Sequence, residues 1–451
     1  MALSARGRCI MRLLAVQLMT FCLVLSVWDF QETGTPPMAF MHESLGKWHS
    51  VVVPSDILES NASSANPHNR GVVVVIHQEN FAAALSLVRE LACLGADLPV
   101  ELHHCGAPEF PPDLAVALKH PALAHARLVD ACELATARGL PHPGLYSKAA
   151  RAWLMPLAVL VSEFDHVMVL DAHALVLRDP TPMWTHPGYE TTGSFFFRQR
   201  DLVPADLSKS RFTHLLRKYS DLYVRDRSIL ASSLGLSANF SAALNGSSQS
   251  LRLVDPAFFL MHKTRHGDRL PARLKQLLMH VRTDSAFDWR SSHSRRGGAQ
   301  RVLVTPPDCV FFLFELLHQP THLAALGAST LDAARDVQLH PTVFCGPVAQ
   351  YLLGNASQDL LYVHGATLLD PQPKGFSEQH YSYMGYNDVP SYVTTPRPPQ
   401  PIKQLPEFPT CDAGVQQFEP LSASFYMALA RRRAHYHALA LGTYHGLATC
   451  S

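Results

Sequence analysis

The chain has 451 residues, 47% of them hydrophobic, so it can bury a sizeable core and is no disordered tail. Its 38 basic residues stand against 37 acidic ones, which leaves no global field to argue for nucleic acid or an acidic membrane surface as partner. Function has to be sought in local sites.

Residues 1–9 read as a cytosolic tail and 10–28 as a signal-anchor helix. Arg6, Arg8 and Arg12 precede the apolar run from Leu13 to Trp28, interrupted by Gln17 and Thr20 and, near its end, by Ser26. A spanning helix needs about 20 residues, with a lower bound of about 17, and Arg12 can snorkel to the head groups. A cleaved signal peptide is the competing explanation, but no small-x-small site follows Val27. The positive residues come first, so the body is expected across the membrane from the cytosol. Four N-x-S sequons, at Asn61, Asn239, Asn245 and Asn355, agree with that side. Of nine cysteines, Cys9 and Cys22 belong to the N-terminal segment. The compartment permits disulfides among the others, but spacing does not give their connectivity.

Residues 29–69 are polar and turn-rich and read as a stem. At Gly71 the character changes to "GVVVVI", a β-branched run that suits a fully buried strand of a parallel sheet. Phe81, Leu85, Val88 and Leu91 then recur at spacings of three and four, which predicts a helix that stops at Gly95. "PVELHHC" is a second strand, so the chain opens with a βαβ unit of an α/β fold. The pair His103-His104 lacks a second ligand pair at finger spacing and is expected to be loop histidines at a strand end rather than a zinc site. "SKAARAWLMPLAVLVSEF" is expected to be helical up to about Pro156, followed by the strand "HVMVL" and a loop at Asp171. Ligands of open α/β sheets collect at such strand ends. Segment 284–301 is a basic Gly/Ser-rich insertion. Residues 386–451 read as a Pro-rich extended linker and a final helix carrying Arg431 to Arg433.

The chemistry gathers at Asp171-Ala172-His173. Transfer of a sugar from a sugar nucleotide leaves a charged diphosphate, and a divalent cation stabilises it. Hard ions such as Mg²⁺ and Mn²⁺ take a few protein oxygens and leave positions for phosphate, a need that two carboxylates two residues apart in a turn can meet. Here the second acid is His173, whose imidazole suits Mn²⁺ better than Mg²⁺ and brings no negative charge. Taken alone, the turn could equally end a buried strand, with Asp171 capping and His173 packing.

Residues 145–197, "LYSKAARAWLMPLAVLVSEFDHVMVLDAHALVLRDPTPMWTHPGYETTGSFFF", resemble the heart of the alpha-mannosyltransferase family typified by the fungal terminal alpha-1,3-mannosyltransferases, glycosyltransferase family 71. Weaker echoes are "GVVVVIHQENFAAALSLVRELACLGADLPVEL", "LVDPAFFLMHKTRH", "VFCGPVAQYLL" and "LLYVHGATL", so the resemblance spans roughly residues 70–372. It implies a GT-A type α/β domain over residues 70–385 with a mixed, mainly parallel sheet. It also implies a divalent cation, Mn²⁺ or Mg²⁺, and transfer of mannose from GDP-mannose to a glycan or glycoprotein acceptor with retention of configuration. By the same resemblance Asp171 contacts metal or ribose, and His173 and His364 complete the metal ligands. Lys148 contacts the donor phosphates, while Lys263 and Asp255 line the sugar or acceptor side, with Asp255 grouped with Asp171 as catalytic. The pattern departs at His173, at "DPA" 255–257, and at Cys309, where the family has a lysine. Two alternatives stay open: a degenerate member that binds glycans or partner proteins without catalysis, and a UDP-sugar-dependent transferase.

Overall fold

A computed structural model of the protein describes residues 69–106, 113–140, 154–199, 254–265, 267, 271–272, 274–275, 310–311, 313–314, 319–352, 360–369, 389–396, 412–415 and 417–450. The expected anchor, the stem, the four sequons, Lys148, the 284–301 insertion and Cys309 lie outside them. Among the described residues no helix is long and apolar enough to cross a membrane.

β1 (Arg70–Val75) is the strand read from "GVVVVI"; Val72, Val73 and Val74 are fully buried. Each such side chain contributes roughly 1.5–3 kcal/mol of hydrophobic transfer. α1 (Phe81–Cys93) follows, and Gly95 just beyond it takes φ +80°, the left-handed conformation that only glycine adopts cheaply. β2 (Val100–His104), α2 (Asp113–Leu118), β3 (Ala126–Asp130) and α3 (Ala131–Ala137) continue the α/β alternation. Asp130 caps α3 by accepting from the amides of Cys132 and Glu133.

α4 (Leu154–Val161) differs from the sequence expectation. Pro156 does not end the helix: among the described residues the helix continues past it to Val161. The chain then enters β4 (His166–Leu170), turns at 171–173 and leaves along β5 (Ala174–Val176). α5 (Pro187–Thr192), β6 (Ser194–Arg198), β7 (Val254–His262) and β8 (His322–Leu323) complete a seven-stranded sheet of order β3-β2-β1-β4-β7-β6-β8. β3, β2, β1 and β4 run parallel, β7 is antiparallel to β4 and β6, and β8 is parallel to β6. The α/β expectation is met, with a mixed, mainly parallel sheet.

β9 (Ser329–Ala333), α6 (Ala334–Leu339), β10 (Val343–Phe344), β11 (Val348–Tyr351), β12 (Leu360–His364), α7 (Ala366–Leu369), β13 (Pro390–Thr394), β14 (Asp412–Ala413), β15 (Phe418–Pro420) and α8 (Ala423–Ala440) follow. They build a six-stranded sheet of order β15-β13-β9-β11-β12-β5, and β10 pairs with β14. Between β10 and β11, Gly346 lies against the backbone of β9: a Cβ there would stand 2.1 Å from the carbonyl oxygen of Leu331. The expected linker is therefore in part a hydrogen-bonded strand, since β13 pairs with β9 and β15. All described residues fall within one compact unit, so the C-terminal elements are not an appendage. α8 packs on α1 along one side, while its Phe425 and Leu429 join Leu331, Val363 and Leu368 in a second core.

Cys93 is bonded to Cys450 and Cys105 to Cys132, with Cα–Cα separations of 5.3 Å and 5.0 Å. His103 and His104 lie on β2 itself rather than in a loop; His103 is buried against Glu101 at 2.8 Å.

Candidate active site

The 171–173 turn is where the chain passes from the first sheet to the second. Asp171 follows the buried end of β4, and its amide donates to the carbonyl of Ala257 at the start of β7 (2.8 Å). β5 runs antiparallel to β12 in a register that sets Ala174 opposite His364. That register brings a histidine from a sequence-distant strand to the turn.

The Oδ1 of Asp171 accepts from the amide of His173 at 2.8 Å and lies 3.2 Å from its ring Nδ1. The Nε2 of His364 stands 3.5 Å from the same oxygen. The Asp171 side chain is 39% exposed and those of His173 and His364 are 32% and 25% exposed, so the cluster faces an opening. Burial pushes the Asp171 carboxyl up, but hydrogen bonds and charge from His173 and His364 overcome it and hold the group well below the usual carboxylate range. Burial pushes the His364 imidazole down, and the adjacent Asp171 and Asp255 carboxylates reverse this, raising it above the ordinary histidine value. Each group thus favours the charged form of the other.

Asp255 stands behind His364. It is fully buried, and its Oδ1 accepts from the amide of Ala257 (2.9 Å) and lies 3.9 Å from the Nδ1 of His364. Its Oδ2 accepts from the Nε2 of Gln350 (2.8 Å), which also donates to the carbonyl of Arg198. Asp255 was expected to be catalytic and to line the sugar side; it has no exposed surface, and it faces His364 from behind at a distance longer than a hydrogen bond, so it acts on the ring through charge.

Lys263 is corrected as well. β7 is antiparallel to β4, with Phe258 opposite Leu170 and His262 opposite His166, so Lys263 comes at the opposite edge of the sheet. At about 3.3 Å per residue it is separated from the turn by about 20 Å along the strand. Its Nζ donates to the carbonyl of Ser162 (2.6 Å) and burial pushes its pKa down to about 8. It is a strut, not a donor contact.

Asp171, His173 and His364 thus meet as expected, and Asp255 and Lys263 do not join them in the opening. One carboxylate and two imidazoles are suitable chemistry for Mn²⁺. As placed, however, both rings are turned onto one carboxylate oxygen, and among the described residues no group of three or more His, Cys, Asp or Glu side chains is arranged to hold a metal ion. The donor set fits in kind but not in arrangement. Gln350 and the arginines of α8 that touch this region escaped sequence reasoning. The one available signal was the unbroken triplet Arg431-Arg432-Arg433, too basic for one solvated helical face.

Residues 69–286 match the family described as "Mannosyltransferase putative". The match supports an enzyme of the glycosyltransferase class. No curated protein matches the chain. Among solved structures the chain is similar to core-mannan synthase A from Aspergillus fumigatus in its Mn/GDP form, with 11% identity over 58% of this chain and 74% of that one and a TM-score of 0.35. It is also similar to the galactosyltransferase LgtC in complex with donor and acceptor sugar analogs, with 14% identity, 56% and 73% coverage and a TM-score of 0.27. Mouse xyloside xylosyltransferase 1, apo form, gives 13% identity, 56% and 84% coverage and a TM-score of 0.28. Likeness at these scores carries no statement about substrate.

Proposed function

We propose that the protein is a GT-A type glycosyltransferase that moves a hexose, mannose from GDP-mannose, onto a glycan or glycoprotein acceptor with retention of configuration. The observation that carries this reading is the meeting of Asp171, His173 and His364 at the C-terminal end of β4, with Asp171 and His173 inside residues 69–286, which match a mannosyltransferase family, and His364 brought to them from beyond that range. In this reading Asp171 stays ionised and is oriented by the two imidazoles, while Asp171 and Asp255 favour the charged form of His364, whose positive charge would stand where a diphosphate must be held. Asp255, held by Gln350, adds negative charge behind that ring. Retention asks for no strong base beside the acceptor, and no such base lies on Asp171, which is held in its weakly basic, ionised form.

We assign the divalent cation to the same three side chains: Mn²⁺ bound there would offset the charge of the departing diphosphate. Localisation as a single-pass type II Golgi protein rests on the Leu13–Trp28 run and the arginines before it. The test is calorimetry on the full-length protein with GDP and with UDP, each with and without Mn²⁺, followed by an assay of GDP-mannose hydrolysis. GDP binding that needs Mn²⁺ and disappears in Asp171→Ala is the expected result. Preference for UDP would move the donor to a UDP-sugar.

One observation favours a second reading. With both rings closed onto Asp171 and no assembled ligand group among the described residues, the corner could serve a glycan- or partner-binding protein without catalysis. Absence of Mn²⁺-dependent nucleotide binding, with no rescue by His173→Asp, would select it.

A further inference from the structure

The triplet Arg431-Arg432-Arg433 lies beyond the matched residues 69–286, yet all three side chains reach into the molecule. Arg431 forks onto Glu90 of α1, its Nε 3.2 and 3.1 Å from the two carboxylate oxygens, and its Nη1 donates to the carbonyl of Cys450 (3.3 Å). Arg432 is 0% exposed. Its Nη1 donates to the hydroxyl of Ser86, and its Nη2 donates both to the carbonyl of Ala83 (2.8 Å) and to that of Ala172 (2.9 Å). Arg433 donates through Nε to the carbonyl of Leu368 (2.7 Å).

Two of these acceptors stand out by position. Ala172 is the middle residue of the turn that bears Asp171 and His173. Leu368 lies in α7, which begins directly after His364-Gly365, and its amide is tied back to the Gly365 carbonyl (3.0 Å). Adjacent arginines of one helix therefore hold the two loops that must meet for the site to exist. The arrangement is costly for stability alone. Among the described residues no carboxylate contacts the Arg432 guanidinium, and burial pushes its pKa down to about 9 against the pull of Glu90. A well-packed apolar side chain of similar volume is often as stable or more so in such a place. What an apolar residue cannot do is fix a carbonyl of the turn: a planar guanidinium carries donors in a rigid fork and so defines where its acceptors lie.

α8 is itself anchored independently of these two contacts. Arg431 holds Glu90, Phe425 and Leu429 pack into the second core, and Cys450 is bonded to Cys93 of α1. The guanidinium of Arg432 thus projects from a fixed base.

We propose that Arg432 and Arg433 are positioning residues and that α8 is a brace: it locks the 171–173 turn and the 364–368 segment into one register, so that Asp171, His173 and His364 meet. The inference rests on the proposed donor site for its consequence, but its structural half can be tested separately. The experiment uses the full-length protein and its variants Arg432→Met, Arg433→Met and Arg432→Lys, with Arg431→Met as a control that touches neither turn. Hydrogen exchange is followed by mass spectrometry in peptides covering 168–177, 360–369 and the reference segment 126–137, which none of the three arginines contacts in the hydrogen bonds given above, and Mn²⁺-dependent GDP affinity by calorimetry.

Arg432→Met is expected to speed exchange in 168–177 at least tenfold relative to 126–137 and to weaken GDP binding at least tenfold. Arg433→Met should do the same to 360–369. Arg431→Met should leave both turns within twofold of wild type. Arg432→Lys keeps the charge but cannot span the three acceptors, so it should loosen 168–177 as well; if the methionine variant does not fold, this variant and Arg433→Met decide by the same exchange. Unchanged protection of 168–177, or loosening equal in all three peptides, overturns the brace. Failure of the wild type to bind GDP or UDP with Mn²⁺ would sink the donor assignment while leaving the exchange result to judge the brace.

Discussion

The Nε2 of His364 stands 3.5 Å from the Oδ1 of Asp171, although the imidazole closes β12 of the second sheet and the carboxylate follows β4 of the first. Each favours the charged form of the other. Asp171 is depressed in the fold, so its contribution is present above the ordinary 3.8 and lost as pH falls through its lower folded value. His364 is raised, so its contribution is present below 6.5 and lost as pH rises through its higher folded value. Both are fully present between 3.8 and 6.5. Melting curves of wild type and Asp171→Asn across pH should therefore differ most in that window, by about 1–2 kcal/mol, and converge on the alkaline side. A difference that grows steadily above neutrality would contradict the pairing.

His173 replaces the carboxylate that an acidic turn would place two residues after Asp171. In His173→Asp the ring contact to Asp171 is lost and two like charges share a short turn, so the metal-free protein should lose about 1 kcal/mol. Mn²⁺ affinity should rise at least tenfold, as a charged oxygen replaces a neutral nitrogen. Calorimetric titration with Mn²⁺ checks this; equal affinities would show that position 173 does not face the cation.

Glu101 is a buried carboxylate whose Oε2 lies 2.8 Å from the Nε2 of His103 and whose Oε1 lies 2.5 Å from Arg127. Burial pushes it up, but His103, Ser162 and Arg127 together bring it down to about 2. Its contribution is therefore present above 4.5 and lost as pH falls from there towards 2. Glu101→Gln should cost about 3 kcal/mol near neutral pH and much less near pH 2, read from urea unfolding at both pH values. An equal cost at both would mean that packing rather than charge is involved.

The Cys93–Cys450 bond joins α1 to the segment after α8. Replacing both cysteines by alanine should cost about 2–5 kcal/mol in urea unfolding. Because α8 also holds Ala172, the double variant should in addition lose part of its GDP affinity. Full affinity at reduced stability would uncouple the tether from the site.

How much was legible in the sequence follows from what local pattern encodes. The β-branched run at 71–76, the three-and-four spacing from Phe81 and Asp171 beyond a buried strand are all local, and each stands where expected. Strand direction is not local: nothing in "LVDPAFFLMHKTRH" shows that β7 runs against β4, and that reversal put Lys263 at the wrong edge. Burial of Asp255 behind His364 depends on β7 meeting β11 through Gln350, beside β12, which no spacing reveals. The strands of the second sheet are short, three to five residues each, too brief for alternation to declare itself. His364 was placed by resemblance, and the register of β5 with β12 supplies the physical reason.

The contact of Arg432 with Ala172 also sets an order of events during synthesis. Residues 423–440 leave the ribosome after both sheets, so a nascent chain can assemble the pleated framework while the carboxylate corner still lacks its fastener. Competence to handle a charged ligand then arrives late and all at once. Any product interrupted before α8 should emerge folded in part yet inert.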